Sequence, residues 1–296
     1  MTNMDRTMPE LAAACSEVVL PSDARSPIFI GGQRRSGTSL LRVLLNRHRN
    51  IAAGPESKFV QDPSFIAWHN DVATTWTTWL ERYGFGRTEV DRAVAALVDN
   101  LFTRYQLREG KVRWAEKTPT NILRIDYLFR LFPHAQFIHV IRDPRDTYCS
   151  IRQRALSDKP EWAKFRPRRA ARDWCAAILA GKRFRPCTDR YMEVQYERLV
   201  SEPGPVMKQA LDFLQEPWDP NILNPDADNQ EARSDAQVRR DVIDSASVGR
   251  WRTELTIDEV TNVQRVAGEL MIELGYQPER DLKKFRHLQA QPARGW

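Results

Sequence analysis

Cysteine is scarce in this sequence, which contains four cysteines among 296 residues. Cys15, Cys149, Cys175 and Cys187 lie far apart, form no C-x-x-C pair and have no histidine at metal-ligand spacing. Neither a disulfide framework nor a metal site is therefore predicted. Reduced, scattered cysteines are typical of a cytoplasmic protein, and the cytoplasm is the expected location.

Long apolar runs are missing as well. No stretch approaches the roughly 18 apolar residues that a membrane-spanning helix needs, so no membrane span is predicted. The start of the chain contains the acids Asp5, Glu10 and Glu17 and only a short apolar patch, which is a poor match to a secretion signal. We find neither an internal repeat nor a low-complexity segment.

The composition is that of a globular chain, with 42% apolar and 28% charged residues. Such a chain can bury a full core, and one large domain over residues 26–285 is favoured over two smaller ones. Residues 1–25 are predicted to form an N-terminal arm and residues 286–296 a mobile tail. The net charge of +6 favours an anionic ligand, but charge alone does not distinguish nucleic acid from a polyanionic cofactor.

Stretches with strand character alternate with helical stretches, which predicts an α/β fold with a parallel sheet covered by helices on both faces. A tryptophan-rich helical insertion is expected at about residues 62–108. Ligands of such sheets bind outside the carboxyl ends of the strands, here the turns at 31–39 and 142–145. Strands are predicted at 27–31, 50–53 (beside the first strand), 112–116, 136–141 and 191–195, and helices at 37–48, 119–132, 145–155, 161–182 and 256–275.

The first of these turns lies within IFIGGQRRSGTSLLR and has the chemistry of a phosphate site. Gly32 and Gly37 have the spacing of a Walker A loop, but Thr38-Ser39 replaces its Lys-Ser/Thr pair. Backbone N–H groups at the start of the helix can still hold an anion, and Arg35 can supply the missing cation. A Walker loop also needs a magnesium-binding Asp, and the strand at 136–141 delivers Arg142 first. A magnesium-dependent kinase is therefore disfavoured.

Two segments read together, PIFIGGQRRSGTSLLR and FIHVIRDPRDTYCSIRQR, resemble the sulfotransferases that use 3′-phosphoadenosine 5′-phosphosulfate (PAPS). The branch containing the tyrosylprotein sulfotransferases and their bacterial relatives is the most similar. The resemblance extends from about residue 27 to residue 276. It implies a P-loop-like parallel sheet flanked by helices, the sulfotransferase fold, with PAPS as sulfuryl donor.

The resemblance also implies which residues bind the cofactor. The R-S-G-T-T loop of the family, which grips the 5′-phosphosulfate, corresponds to residues 35–39. The 3′-phosphate site corresponds to an Arg, a Ser eight positions later and a basic residue four beyond that. A tyrosine contacts the nucleotide, and a late loop closes over it with a Ser and a basic residue. The implied residues are Arg35, Ser36, Gly37, Thr38, Ser39, Arg142, Ser150, Arg154, Tyr196, Ser234 and Arg250.

Glu56, in Gly54-Pro55-Glu56-Ser57-Lys58, resembles the catalytic glutamate of the tyrosylprotein branch and is the expected general base. Lys117 corresponds to the Lys of the K-x-P element near the sulfonate. Together with Arg35 it is expected to stabilise the charge of the departing phosphate. If Glu56 were not the base, His48 would be the next candidate.

The expected activity is transfer of the sulfuryl group of PAPS to a hydroxyl of a carbohydrate, lipid or small natural product, without a metal. The alternative acceptor is a protein tyrosine. A P-loop small-molecule kinase and a non-catalytic polyanion-binding protein are the alternatives of another class. Nucleic acid is not an expected partner, because no aromatic residues are interleaved with the basic ones. The oligomeric state is open, a homodimer included.

Overall fold

A computed structural model of the chain describes residues 26–59, 65, 68–69, 77–157, 166–187, 189–225, 243 and 245–279. The predicted arm and tail lie outside these residues, as do much of the segment at 60–76 and residues 226–242. Among the described residues, no helix is long and apolar enough to cross a membrane. The strands are β1 (Ile28–Gly31), β2 (Ile51–Ala53), β3 (Arg113–Lys117), β4 (Gln136–Ile141) and β5 (Tyr191–Gln195).

Helices connect the strands. Short 3₁₀ segments cover Pro119–Arg124, Pro220–Leu223 and Ser245–Ser247. The α-helices are α1 (Thr38–Arg47), α2 (Thr77–Arg82), α3 (Arg87–Arg108), α4 (Ile125–Leu131), α5 (Pro144–Ser157), α6 (Pro167–Lys182), α7 (Tyr196–Ser201), α8 (Pro203–Leu214), α9 (Trp251–Glu254) and α10 (Ile257–Glu273).

The five strands form one parallel sheet in the order β2-β3-β1-β4-β5. The α/β class and the parallel sheet flanked by helices are as predicted. The expectation that residues 50–53 pair with β1 is wrong, because β3 lies between β1 and β2. Both neighbours of β1 are distant in sequence: Ile28 pairs with Ala115 on β3 and with Gln136 on β4. Neighbours in sequence are often, but not always, neighbours in a sheet.

The helix predicted at 119–132 is interrupted. Pro119–Arg124 is a 3₁₀ segment and only Ile125–Leu131 is α-helical. The carbonyl of Pro119 accepts from the N–H of Gly32, and the side chain of Asn121 donates to Glu116. These contacts fix the tighter turn beside β1 and β3. The predicted insertion contains α2 and α3; Trp68 is half exposed, and Trp76 lies outside the described residues.

His139 lies in the middle of β4 and is fully buried. Its Nδ1 lies 2.7 Å from the hydroxyl of Tyr191, and burial lowers the pKa of His139 to about 3. In the unfolded chain His139 is protonated below about pH 6.5, whereas in the folded chain it stays neutral until the pH falls to about 3. The contribution of His139 to the free energy of unfolding is therefore fully present above about pH 6.5. It is lost as the pH falls below that value, by up to about 1.4 kcal/mol per pH unit.

We therefore expect a shallower pH dependence of stability after His139→Gln. Urea unfolding at pH 7 and pH 5 should show that wild type loses up to about 2 kcal/mol more than the variant over this interval. The matched control is His134→Gln, because His134 is exposed and precedes the same strand. Equal pH dependence in all three proteins would show that His139 does not control it.

Candidate active site

The carboxyl ends of the parallel strands meet at one edge of the sheet and carry the predicted site residues. The loop after β1 leads into α1, and the turn after β2 contains Glu56. Lys117 is the last residue of β3, and Arg142 follows β4 directly. Four turns that are distant in sequence thus lie side by side, as expected for ligand sites of such sheets.

The loop between β1 and α1 is built by residues with positive φ. Arg35 has φ 72° and Gly37 has φ 97°, so two positions of this short turn occupy the left-handed region. A Cβ on Gly37 would lie 2.2 Å from Cδ2 of Tyr196, so only glycine allows the ring to pack on the loop. A non-glycine residue with positive φ is uncommon, and such strain is often found at functional sites.

Lys117 and Glu56 form an ion pair beside this loop. Nζ of Lys117 lies 3.2 Å from Oε1 of Glu56 and 3.4 Å from Oγ of Ser39. Lys117 is buried, whereas the Glu56 side chain is 28% exposed. Burial lowers the pKa of Lys117, and the neighbouring Glu56 carboxylate opposes that shift. The carboxylate therefore has access to solvent while the ammonium group is held in the interior.

Arg142 forms the centre of a second cluster. Its guanidinium donates through Nη1 to the carbonyl of Arg35 (3.2 Å) and through Nη2 to the carbonyl of Ser247 (2.5 Å). The group also stacks on the ring of Tyr196, 4.4 Å from its centroid. Nε of Arg35 donates to Oγ of Ser150 at 3.0 Å. The two predicted phosphate turns are thus in direct contact, linked through Arg35.

The remaining predicted residues have different outcomes. Arg154 lies one turn after Ser150 on α5, as predicted, and is partly buried. Arg250 donates to Gln153 (3.2 Å), which places the described part of the late loop, residues 245–250, against α5. Ser234 lies outside the described residues. Every assigned role in cofactor binding stays a prediction.

Two residues of this edge were missed from the sequence. The hydroxyl of Tyr196 lies 2.7 Å from Oγ of Ser247, so the described part of the late loop brings a serine other than Ser234 to Tyr196. The buried carboxylate of Asp146 accepts from the backbone N–H groups of Gly249 (2.6 Å) and Trp251 (3.0 Å). An acid in the first turn of α5 and a serine two residues before Gly249 were the available signals.

His48, the alternative base, is excluded by its surroundings. It is fully buried and follows α1, which runs from the carboxyl edge of the sheet towards the opposite edge. Its Nε2 lies 2.9 Å from the carbonyl of Pro217, and its Nδ1 accepts from the N–H of Asn50. Both ring nitrogens are therefore engaged, and the expectation that His48 could replace Glu56 is wrong.

The residues present fit a ligand with two separate phosphate groups. Oγ of Ser36 and Nε of Arg142 are buried and have no hydrogen-bond partner among the described residues. A buried donor without a partner is costly, and a bound ligand, ion or water can satisfy it. The first N–H groups of α1 add further donors, since the first turn of a helix has no internal acceptors for them. Fold and site together define an α/β protein with a P-loop-like turn at the carboxyl edge of its sheet.

A family model described as "Sulfotransferase family" matches residues 27–220, which is well over half of the chain. The chain therefore belongs to the sulfotransferase family, as the sequence predicted, and its class of enzyme is that of a sulfotransferase.

Relatives and solved structures agree with this family. The protein-tyrosine sulfotransferase of Drosophila melanogaster is 27% identical over 266 residues, which cover 85% of this chain and 52% of that protein. The chain thus spans about half the length of this relative. The sulfotransferase domain from the curacin biosynthetic pathway superposes with a TM-score of 0.58 at 20% identity, covering 85% of this chain and 98% of that one. Mouse sulfotransferase SULT7A1, complexed with PAP, gives 0.50 at 15% identity with 94% of each chain covered. Both likenesses confirm the fold.

Proposed function

We propose that the chain transfers the sulfuryl group of PAPS to the hydroxyl of a tyrosine in a protein or peptide. The observation that carries the chemistry is the Glu56–Lys117 pair beside Ser39 of the phosphate loop. The tyrosine acceptor is supported by the relative that is named a protein-tyrosine sulfotransferase. This support favours a tyrosine over the acceptor expected from the sequence, a hydroxyl of a carbohydrate, lipid or small natural product.

Glu56 is the proposed general base. Its carboxylate is partly exposed, so an acceptor hydroxyl can reach it, and Lys117 holds it at the mouth of the loop. A tyrosine hydroxyl loses its proton only near pH 10, so attack at neutral pH benefits from a base that takes the proton during the reaction. Bases of this kind contribute about 10²- to 10⁴-fold to the rate.

Arg35, Lys117 and the N–H groups at the start of α1 are proposed to neutralise the negative charge that grows on the departing phosphate. The bound donor supplies an activated sulfuryl group for transfer. Donors that are already in place cost no reorganisation during the reaction, which makes such stabilisation one of the largest contributions to catalysis. The Lys117 ammonium group is buried, so solvent screens its charge less than it would screen the charge of an exposed lysine.

Arg142, Ser150 and Arg154 are proposed to bind the 3′-phosphate, with Tyr196 and the late loop at Ser247 and Arg250 around the nucleotide. Nε of Arg142 is buried without a partner among the described residues, whereas both Nη atoms donate to backbone carbonyls. An arginine has five N–H donors, so this residue can bind a phosphate while it keeps its structural contacts. PAP, which is 3′-phosphoadenosine 5′-phosphate, is bound in the complex of the mouse enzyme and supports a nucleotide of this kind.

The two alternatives of another class have less support. A P-loop kinase needs an acid at the end of the second strand to hold magnesium. Asp143, the first acid after β4, instead binds Arg145 through both carboxylate oxygens. A non-catalytic polyanion-binding protein has no need of the Glu56 carboxylate beside its phosphate loop. The cytoplasmic location stays a prediction.

Ligand binding separates these proposals. We expect PAP to raise the melting temperature, because a ligand at a hundredfold excess over Kd stabilises the fold by about 2.7 kcal/mol. ATP should have little effect, and adenosine 5′-phosphosulfate should bind much more weakly than PAP because it lacks the 3′-phosphate. A shift with ATP but none with PAP would favour the kinase.

Sulfuryl transfer itself is tested by incubating the chain with labelled PAPS and separate pools of tyrosine-containing peptides, carbohydrates and lipids. Mass spectrometry of the labelled product identifies the acceptor. Labelled peptide is the expected result. Labelled carbohydrate or lipid, with unlabelled peptide, would overturn the proposed acceptor but not the proposed donor.

A further inference from the structure

The side chains of Glu116 and Lys117, the last two residues of β3, and of Thr118, which follows them, contact the turn at residues 56–58. The partners are 59 to 61 positions apart in sequence. The contacts join Glu116 to Ser57, Lys117 to Glu56, and Thr118 to the N–H of Lys58.

The carboxylate of Glu116 accepts the most hydrogen bonds among these contacts. It is 1% exposed, and its Oε1 accepts from the hydroxyl (2.7 Å) and the N–H (3.3 Å) of Ser57. The same oxygen accepts from the hydroxyl of Thr118 (2.7 Å), and Oε2 accepts from Nδ2 of Asn121 (2.6 Å). A buried carboxylate with four donors is suited to fix its neighbours and not to exchange protons with a substrate.

The turn itself has little packing to define it. Pro55 and Ser57 are exposed, Glu56 is partly exposed, and Lys58 has φ 59°, a left-handed conformation that a lysine rarely adopts. Hydrogen bonds to β3 therefore have to supply the order that burial does not. A displacement of a catalytic group by about 1 Å can cost about 10²-fold in rate.

We propose that Glu116 is a positioning residue that acts through Ser57 to hold Glu56 in the orientation in which it accepts the proton. This inference rests on the proposed role of Glu56 as general base. Glu116 makes its hydrogen bonds to Ser57, Thr118 and Asn121. Its positioning effect is assigned to Ser57, the residue that follows the base. The charge of Glu116 also acts on the neighbouring Lys117, where it opposes the lowering of the pKa by burial.

The first test measures the order of the turn without any acceptor. Hydrogen–deuterium exchange should become faster in the peptide covering residues 54–59 in both Ser57→Ala and Glu116→Met, which removes both acceptor oxygens and keeps a side chain of similar length. Exchange in β4 should stay unchanged. Ser57→Ala covers the case in which the variant at the buried Glu116 misfolds. Ser57 is exposed, and the change removes only the hydroxyl contacts to Glu116 and to the N–H of Phe59. Unchanged exchange of the turn in both variants would overturn the inference, whether or not the chain transfers sulfuryl groups.

The second test uses two phenols that differ in their need for a base. With a tyrosine-containing peptide, Ser57→Ala should lower kcat about tenfold and leave PAP affinity unchanged. With 4-nitrophenol, whose hydroxyl is largely ionised at mildly alkaline pH, the loss should be much smaller. Ser57→Thr keeps the hydroxyl and should restore kcat. The double variant should be no slower than Glu116→Met alone, because the hydroxyl of Ser57 has no carboxylate left to contact in that variant.

The outcomes separate this inference from the proposed function. A wild-type chain that transfers to neither phenol contradicts the tyrosine acceptor, and the exchange experiment still decides whether Glu116 orders the turn. Equal losses with both phenols, or full activity of both variants with the peptide, would show that Glu116 does not position the base.

Discussion

Replacing Glu56 with glutamine should lower kcat for a tyrosine-containing peptide about a hundredfold or more, on the scale of general-base catalysis. PAP affinity should stay unchanged. Glutamine has nearly the same shape and keeps an oxygen that can accept from Nζ of Lys117, 3.2 Å away in the wild-type chain. The substitution therefore removes the base without dismantling the phosphate loop. Steady-state kinetics and calorimetric titration with PAP measure the two quantities separately.

A second acceptor identifies the base. The loss of activity should shrink with 4-nitrophenol, since an ionised hydroxyl has no proton to give. Glu269→Gln is the matched control, because Glu269 is an exposed carboxylate on α10. Its kinetics should equal those of wild type.

Loss of PAP binding together with activity would give Glu56 a structural role. Near wild-type kcat in Glu56→Gln would assign the proton to another group. His48 is not that group, because both of its ring nitrogens are engaged and it lies away from the carboxyl edge.

The parts of the site that are encoded locally could be predicted from the sequence. The loop after β1 combines a buried strand, two glycines and an amphipathic helix within about 20 residues, and each of these signals is short-range. The turn after β4 is similar, because Pro144 marks the first turn of α5. Once both turns are known, a parallel sheet requires them to meet at one edge.

Contacts between distant segments could not be predicted in this way. Nothing in residues 51–53 says that β3 and not β1 pairs with them, since that choice depends on a strand about 60 residues later. The Ser57–Glu116 contact likewise joins residues 59 positions apart. Ser247 was missed because the late loop has no fixed spacing from the motifs before it. Its position follows from packing against Tyr196.

Arg142→Ala should remove most of the preference for PAP over AMP, which lacks the 3′-phosphate. Truncating one partner of a buried, hydrogen-bonded charge pair costs about 2–5 kcal/mol, so the ratio of the two affinities should fall about thirtyfold or more. A ratio is needed because Arg142 also holds the carbonyls of Arg35 and Ser247, and its loss will loosen the loops around any nucleotide. Such loosening weakens AMP and PAP alike, whereas loss of a phosphate partner weakens PAP alone.

Two variants make this result specific to the site. Arg142→Lys keeps the charge but loses the planar fork, so its preference for PAP should lie between those of wild type and Arg142→Ala. Arg169→Ala removes an equal charge from the exposed start of α6, where Arg169 pairs with Asp173, and should leave the ratio unchanged. Isothermal titration with PAP and AMP at one salt concentration gives all four ratios, since screening by salt alters such interactions. An unchanged ratio in Arg142→Ala would place the 3′-phosphate elsewhere. If the ratio of PAP to AMP affinity fell equally in Arg142→Ala and Arg169→Ala, net charge alone would account for the effect. The Nε of Arg142, which has no partner among the described residues, would then need another explanation.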